Sequence, residues 1–163
     1  PELGELAHVG RARSPSIVEA YAIHRERLTD MADLMDPRIS KRLLVGAALS
    51  GADYYDILRF REDLIQRANR VTAPFDAVIM PTLPIIAPPI ANFMGSEDRL
   101  CDPHIIIIRN TVIANLLARC ALSIPCHEAG TAPVGFTLMG ENMADKRLLG
   151  IGLSVEKILS PNV

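Results

Sequence analysis

Three short constellations in this sequence carry residue types able to break bonds. Ser154 and Lys157 form an S-x-x-K tetrapeptide, and helical spacing puts both side chains on one face, as in serine enzymes with a lysine base. No S-D-N or K-T-G companion accompanies it, so the pair reads as helix surface. Cys126 precedes His127, the residue types of a thiolate and imidazole couple. Sequence neighbours on a strand point to opposite faces, so the bland reading is a buried cysteine at a strand end and a loop histidine. Asp53 with Asp56, and Glu62 with Asp63, offer paired carboxylates, read here as the solvated face of a long helix. Nucleophilic catalysis needs a nucleophile, a base within reach and donors for the oxyanion, and each candidate lacks at least one.

Ligand-holding patterns are no richer. Gly150-Ile151-Gly152 is a fragment of a phosphate-binding fingerprint with no strand directly before it, so no ligand is assigned. His8, His24, His104 and His127 are scattered, and neither H-x-x-x-H nor C-x-x-C occurs, so neither metal nor cofactor is expected. Cys101, Cys120 and Cys126 are odd in number and match no zinc spacing, which reads as reduced intracellular thiols in a cytoplasmic protein.

The elements that must position any site follow from composition and periodicity. A chain of 163 residues fits one domain, 1–163, in which 1–13 reads as a leader or linker and 14–163 as the folded region. The chain begins at Pro1 without an initiator Met, which suggests a cut boundary. Aromatics at 4% within 49% hydrophobic residues leave Leu, Ile, Val, Ala and Met to build the core, favouring helix on helix or helix on sheet. A net charge of -2 with mixed signs points away from nucleic acid and anionic membranes, and no apolar run reaches membrane-spanning length.

Ser14 and Ser16 are alternative N-caps, Ser16 with Glu19 fitting a capping box, for a helix from Ile17 to Leu34. Its predicted inner face is Ile17, Ala20, Tyr21, His24, Leu28, Met31 and Leu34, and Asp36-Pro37 ends it. The longest helical pattern runs from Ser40 to Thr72, where Gly46 and Gly51 either admit a close neighbour or mark a break. Phe75 to Thr82 reads as a buried strand, followed by a loop that Pro81, Pro84, Pro88 and Pro89 keep extended. Residues 92–103 read as a polar turn region. Ile105 to Leu117 is ambiguous between strand and helix. Residues 121–126 and 134–140 read as two strands, and 142–159 as an amphipathic helix with Leu148, Leu149, Ile151, Leu153, Val155, Ile158 and Leu159 on a broad apolar face.

A series of local patterns in fixed order goes further. Arg42-Leu-Leu-Val-Gly46, Asp53-Tyr54-Tyr55 with Arg61, FDAVIMPTLPIIAPPI, Asn115-Leu116 ahead of LSIPC, and PVGFTLMG before a closing helix together resemble the C-terminal half of amidase-signature enzymes. That family includes bacterial amidases, allophanate hydrolase and the A subunit of glutamyl-tRNA amidotransferase. The resemblance implies an α/β fold, a mixed sheet flanked by helices, with long N-terminal helices in this portion, and it settles the isoleucine run as helix. It implies hydrolysis of amide C–N bonds by a serine, a cis-serine and a lysine, borne on a Gly-Gly-Ser-Ser-Gly-Gly segment and a lysine upstream. No adjacent glycine pair or serine pair occurs here, so catalytic residues are expected outside these 163 residues.

The same resemblance puts Thr82 and Pro84 beside the substrate cleft, through the Pro-Thr-x-Pro stretch, and Arg42 where the amidotransferase A subunit has one of two adjacent arginines near its substrate end. Implied partners are a small amide substrate of the full-length parent and the missing N-terminal half, with self-association of the fragment in its absence. The chain alone is expected to be inactive; the alternative is a non-catalytic binding or assembly module, and a third reading is hydrolysis through Ser154 or Cys126. There are departures: Asn-Leu-x-Gly-Leu-Pro is replaced by Asn115-Leu116-Leu117-Ala118-Arg119-Cys120, the Gly after Pro-Cys by His127, and a frequent Gln by Thr137.

Overall fold

The computed structural model describes residues 14–93 and 101–159. The leader expected over 1–13, and most of the polar turn region, lie outside the described residues. Two compact units divide between Gln66 and Arg67.

The first unit is helical. Helix α1 spans Ser16–Asp30 and is followed by a 3-10 turn over Ala32–Leu34. Neither predicted cap operates: Pro15 occupies the N-cap position, and the Ser14 and Ser16 hydroxyls bond each other at 2.7 Å. Glu19, the expected capping-box acid, instead accepts from the Tyr54 hydroxyl at 2.8 Å. The expected inner face holds for Ile17, Ala20, Tyr21, His24 and Leu28, all half-buried, but Met31 and Leu34 are exposed because the helix has already unwound.

Asp36 starts the next element rather than merely ending the first. Its carboxylate accepts from the Arg38 backbone N–H at 2.9 Å and caps α2, Pro37–Leu44, with Pro37 in the first turn, where its missing N–H costs nothing. The long helix expected from Ser40 is broken. After α2 comes a 3-10 turn over Val45–Ala48, and α3 spans Gly51–Thr72. Both readings of the glycines apply, one to each. A Cβ on Gly46 would stand 2.3 Å from the Ile17 carbonyl oxygen, so close backbone approach demands glycine; Gly51 meets nothing and sits at the break. Ser50 and Asp53 cap α3 reciprocally, Asp53 N–H to Ser50 Oγ at 3.1 Å and Ser50 N–H to Asp53 Oδ2 at 2.8 Å.

The second unit holds the sheet. Strand β1 is Val78–Pro81, shorter than predicted because Phe75 to Ala77 lie outside it; β2 is Ala121–Pro125 and β3 is Gly135–Met139, close to expectation. The order is β1-β3-β2 and both pairings are antiparallel, so β1 and β2 form the edges among the described residues. Helix α4 spans Cys101–Leu116, in agreement with the helical reading of the isoleucine run, and α5 spans Asp145–Leu159. The α/β expectation of a sheet with flanking helices holds.

Register divides the sheet into two faces. Leu122, Ile124, Phe136 and Leu138 share one, and there Ile124 and Leu138 pack with Leu148 of α5, ringed by Ala77, Cys120, Ile151 and Val155. Each fully buried leucine or isoleucine contributes roughly 1.5–3 kcal/mol. Gly152 brings α5 close: a Cβ there would fall 2.2 Å from Leu122 Cδ2. The apolar face of α5 is thus narrower than its sequence suggests, with Leu149, Leu153 and Ile158 exposed. The other face carries Val78, Met80, Ala121, Ser123, Thr137 and Met139, and its polar row forms the site below.

Candidate functional site

Three hydroxyls meet across the sheet. Thr82 directly follows β1 and is tied to β3 by its backbone N–H on the Gly135 carbonyl at 2.8 Å. Its Oγ1 lies 2.6 Å from Ser123 Oγ of β2 and 2.8 Å from Thr137 Oγ1 of β3. Edge strands flanking a central one are separated by two strand spacings, about 9.6 Å. Short side chains bridge that gap only where the middle strand is bare. Gly135 provides the bare position: a Cβ there would lie 2.5 Å from Thr82 Oγ1 and 2.6 Å from Ser123 Oγ. Three hydroxyls bring one proton each and share two bonds, so one proton and several lone pairs remain for a bound group.

Helix α4 walls the site from above. Asn110 is buried, and its Nδ2 donates to the Pro81 carbonyl at 2.7 Å, which locks the helix onto the end of β1. The helix ends at Leu116 in a left-handed cap: Ala118 takes φ 52, and Arg119 N–H returns to the Ala114 carbonyl at 3.0 Å. This turn aims Arg119 at the last turn of α3. Its Nη2 donates to Asn69 Oδ1 at 2.7 Å and Thr72 Oγ1 at 2.6 Å. Desolvation draws the Arg119 pKa below the ordinary arginine value, against the opposing field of Glu141.

Between helix and sheet lies a cavity of about 300 Å³ bounded by Thr82, Asn110, Asn115, Arg119, Ser123 and Thr137, among others. Its size suits a small molecule. Of the residues expected at a substrate, Thr82 lies in this wall and Pro84 is half-buried two residues along the same loop; Arg42 sits exposed on α2 of the first unit. Ser123, Thr137, Asn110 and Arg119 had no motif to mark them as site residues.

The chemistry open to this arrangement is positioning. Neutral hydroxyls, amides and a guanidinium hydrogen-bond and orient, but no side chain here has the basicity to take a proton from Ser123 or Thr82. The other nucleophile candidates are engaged elsewhere. Ser154 Oγ donates to the Gly150 carbonyl at 3.2 Å within its own helix. Cys126 is exposed rather than buried, because it lies just past the end of β2; its thiol and His127 Nδ1 both approach the Val134 carbonyl, at 3.6 Å and 3.4 Å, instead of each other. Asp53 serves as a helix cap, not in a carboxylate pair. Among the described residues no cluster of three His, Cys, Asp or Glu side chains could hold a metal, and no helix is long and apolar enough to cross a membrane.

Comparison with known proteins places these features in a family. A family model described as Amidase matches residues 14–149. The A subunit of glutamyl-tRNA(Gln) amidotransferase from Sulfolobus acidocaldarius is 30% identical over 74% of this chain and 25% of its own length. The 2-amino-5-chloromuconic acid deaminase of Comamonas testosteroni is 29% identical over 98% of this chain and 34% of its own. The chain therefore spans between a quarter and about a third of these relatives. Among solved structures, an amidase superposes with a TM-score of 0.74 at 26% identity, covering 88% of this chain and 33% of that one. Allophanate hydrolase from Kluyveromyces lactis, at 22% identity, shares the fold with a TM-score of 0.75, covering 99% of this chain and 26% of that one.

Proposed function

Because the chain belongs to the amidase family, we propose that it is the C-terminal part of an enzyme that hydrolyses carboxylic amide C–N bonds. The serine nucleophile, cis-serine and lysine of that enzyme lie, on this reading, outside these 163 residues. The observation that carries it is the hydroxyl row. A family match over residues 14–149 coincides with a cavity whose serine and threonines bond one another and face no base. In the parent enzyme Thr82, with Pro84 on the same loop, would border the substrate cleft and orient the amide. Arg42 would contribute to substrate binding in the parent enzyme.

Exposed apolar residues support a partner surface. Ile79 at the β1 edge is 62% exposed, and Ile85, Ile86 and Ile90 follow it at the surface. The partner proposed is the N-terminal half of the parent, or a second copy where that half is lacking. Cytoplasmic residence is proposed as well, supported by Cys120 and Cys126 being free thiols.

The decisive experiment assays the purified chain against acetamide, propionamide, benzamide and glutamine. No turnover is expected from the chain alone, and turnover is expected once it is joined to the upstream coding sequence. Hydrolysis by the chain alone that disappears in Ser154→Ala or Cys126→Ala overturns the proposal. A monodisperse monomer at high concentration in sedimentation would count against the partner surface.

A further inference from the structure

One face of α4 roofs the cavity, and helical spacing brings Asn110, Thr111, Ala114 and Asn115 onto it. Three of these four are committed or apolar. Asn110 is buried, with Nδ2 on the Pro81 carbonyl and Oδ1 accepting from Arg109 Nε at 3.3 Å. Thr111 Oγ1 donates to the Ile108 carbonyl at 2.9 Å within its own helix, and Ala114 brings only a methyl group. Asn115 differs from all three. It is exposed in the cavity wall, and among the described residues its carboxamide bonds to no other protein group. Arg119, the charged residue of the lining, directs Nη2 to Asn69 and Thr72, neither of which lines the cavity. A ligand therefore meets one neutral carboxamide on the roof, and on the floor the proton and lone pairs that the hydroxyl row leaves over.

We infer that Asn115 is a specificity-determining residue of this cleft and that it reads an unsubstituted carboxamide. The inference rests on the amide-hydrolase reading and narrows it to primary amides. A carboxamide carries its carbonyl oxygen and one N–H side by side in a single plane, so two of them pair head to head. Asn115 Nδ2–H donates to the substrate oxygen, and the substrate N–H donates to Asn115 Oδ1. An N-alkyl amide in its ordinary trans form turns its N–H away from the oxygen and puts carbon in that place, so one bond is lost and Oδ1 faces an alkyl group. The product is told apart as well. Hydrolysis by water converts R–CONH₂ to R–COO⁻ and NH₄⁺, and the ionised acid has no proton for Oδ1 and sets its charge against the lone pairs there. Asn115 thus holds the amide and releases the carboxylate.

Titrating the 163-residue chain with propionamide, N-methylpropionamide and propionate at constant ionic strength, while following the Asn115 Nδ2–H₂ signals by NMR, tests this. Propionamide is expected to move those signals saturably, N-methylpropionamide to bind about tenfold more weakly for the lost bond, and propionate to leave them in place. Asn115→Asp keeps the shape and removes the donor, and Asn115→Ala removes both partners. Each should weaken propionamide about tenfold or more, read at the backbone signals of Ser123 and Thr137. In the chain joined to its upstream coding sequence, the kcat/KM preference for propionamide over N-methylpropionamide should fall toward one in Asn115→Ala. Equal affinity for the two amides, propionamide binding unchanged in both variants, or no saturable shift at Asn115 overturns the inference. Amide hydrolysis by the joined protein with a preference that Asn115→Ala leaves intact would remove the role of Asn115 and keep the hydrolase reading. Propionamide bound at Asn115 in a joined protein that hydrolyses no amide would do the reverse.

Discussion

Thr82 and Ser123 stand on opposite edges of a three-stranded sheet, yet their hydroxyl oxygens are 2.6 Å apart, over a central-strand glycine. Gly135→Ala should therefore destabilise the fold by about 1–3 kcal/mol, the usual cost of overpacking, as read from denaturant unfolding. Part of the obstruction is the Ser123 hydroxyl, so adding Ser123→Ala should recover part of the loss. A Gly135→Ala chain as stable as the parent would show that the row is not closed over the glycine.

Two other glycines separate backbone from side-chain crowding. At Gly46 the obstacle is the Ile17 carbonyl, which cannot move without α1; at Gly152 it is the tip of the Leu122 side chain. Gly46→Ala is expected to cost about 2 kcal/mol or more. Gly152→Ala gains up to about 1 kcal/mol of helix propensity against a leucine rotation, and should be near neutral. Paired thermal melts decide, and equal losses would contradict this ordering.

Ala118 occupies the left-handed region, where an L-residue is strained by roughly 1–2 kcal/mol. Ala118→Gly relieves the strain but loosens the unfolded chain, and the net expectation is a gain of up to about 1 kcal/mol. The melting temperature should rise by a few degrees at most; a fall would mean that the alanine methyl packs usefully in the turn.

Acid should loosen the helix starts. Bonds from the Arg38 side chain hold the Asp36 carboxyl below its ordinary 3.8, at about 2, and the Ser50 hydroxyl lowers that of Asp53. A carboxyl with a depressed folded pKa stabilises fully above its unfolded value and loses that contribution as pH falls through the folded one. For Asp36 the window runs from 3.8 down to about 2. The stability gap between the parent and Asp36→Asn should be constant above pH 5 and shrink below pH 4; a gap that widens with acid would reverse the sign.

Local chemistry made the elements legible, and distance hid the site. The strands ALSIPC and VGFTLMG announced themselves by apolar composition, and Gly46 by sitting inside a helical pattern. The isoleucine run misleads by β-propensity, and the resemblance, not periodicity, read it as helix. Thr82, which lines the cavity, is reachable through a motif. Ser123 and Thr137 are not, because they lie 41 and 55 residues from Thr82 and become neighbours only through strand register. Ser50 carries the S-x-x-D signature of a cap, which a helical pattern running from Ser40 to Thr72 conceals.

The bond from Asn110 to the Pro81 carbonyl reaches beyond the cavity. Proline has no N–H to give, and its oxygen is already taken, so the final residue of this edge offers an incoming strand nothing to zip onto. Templated growth of fibrils along the edge would find Val78 to Met80 and then a terminus.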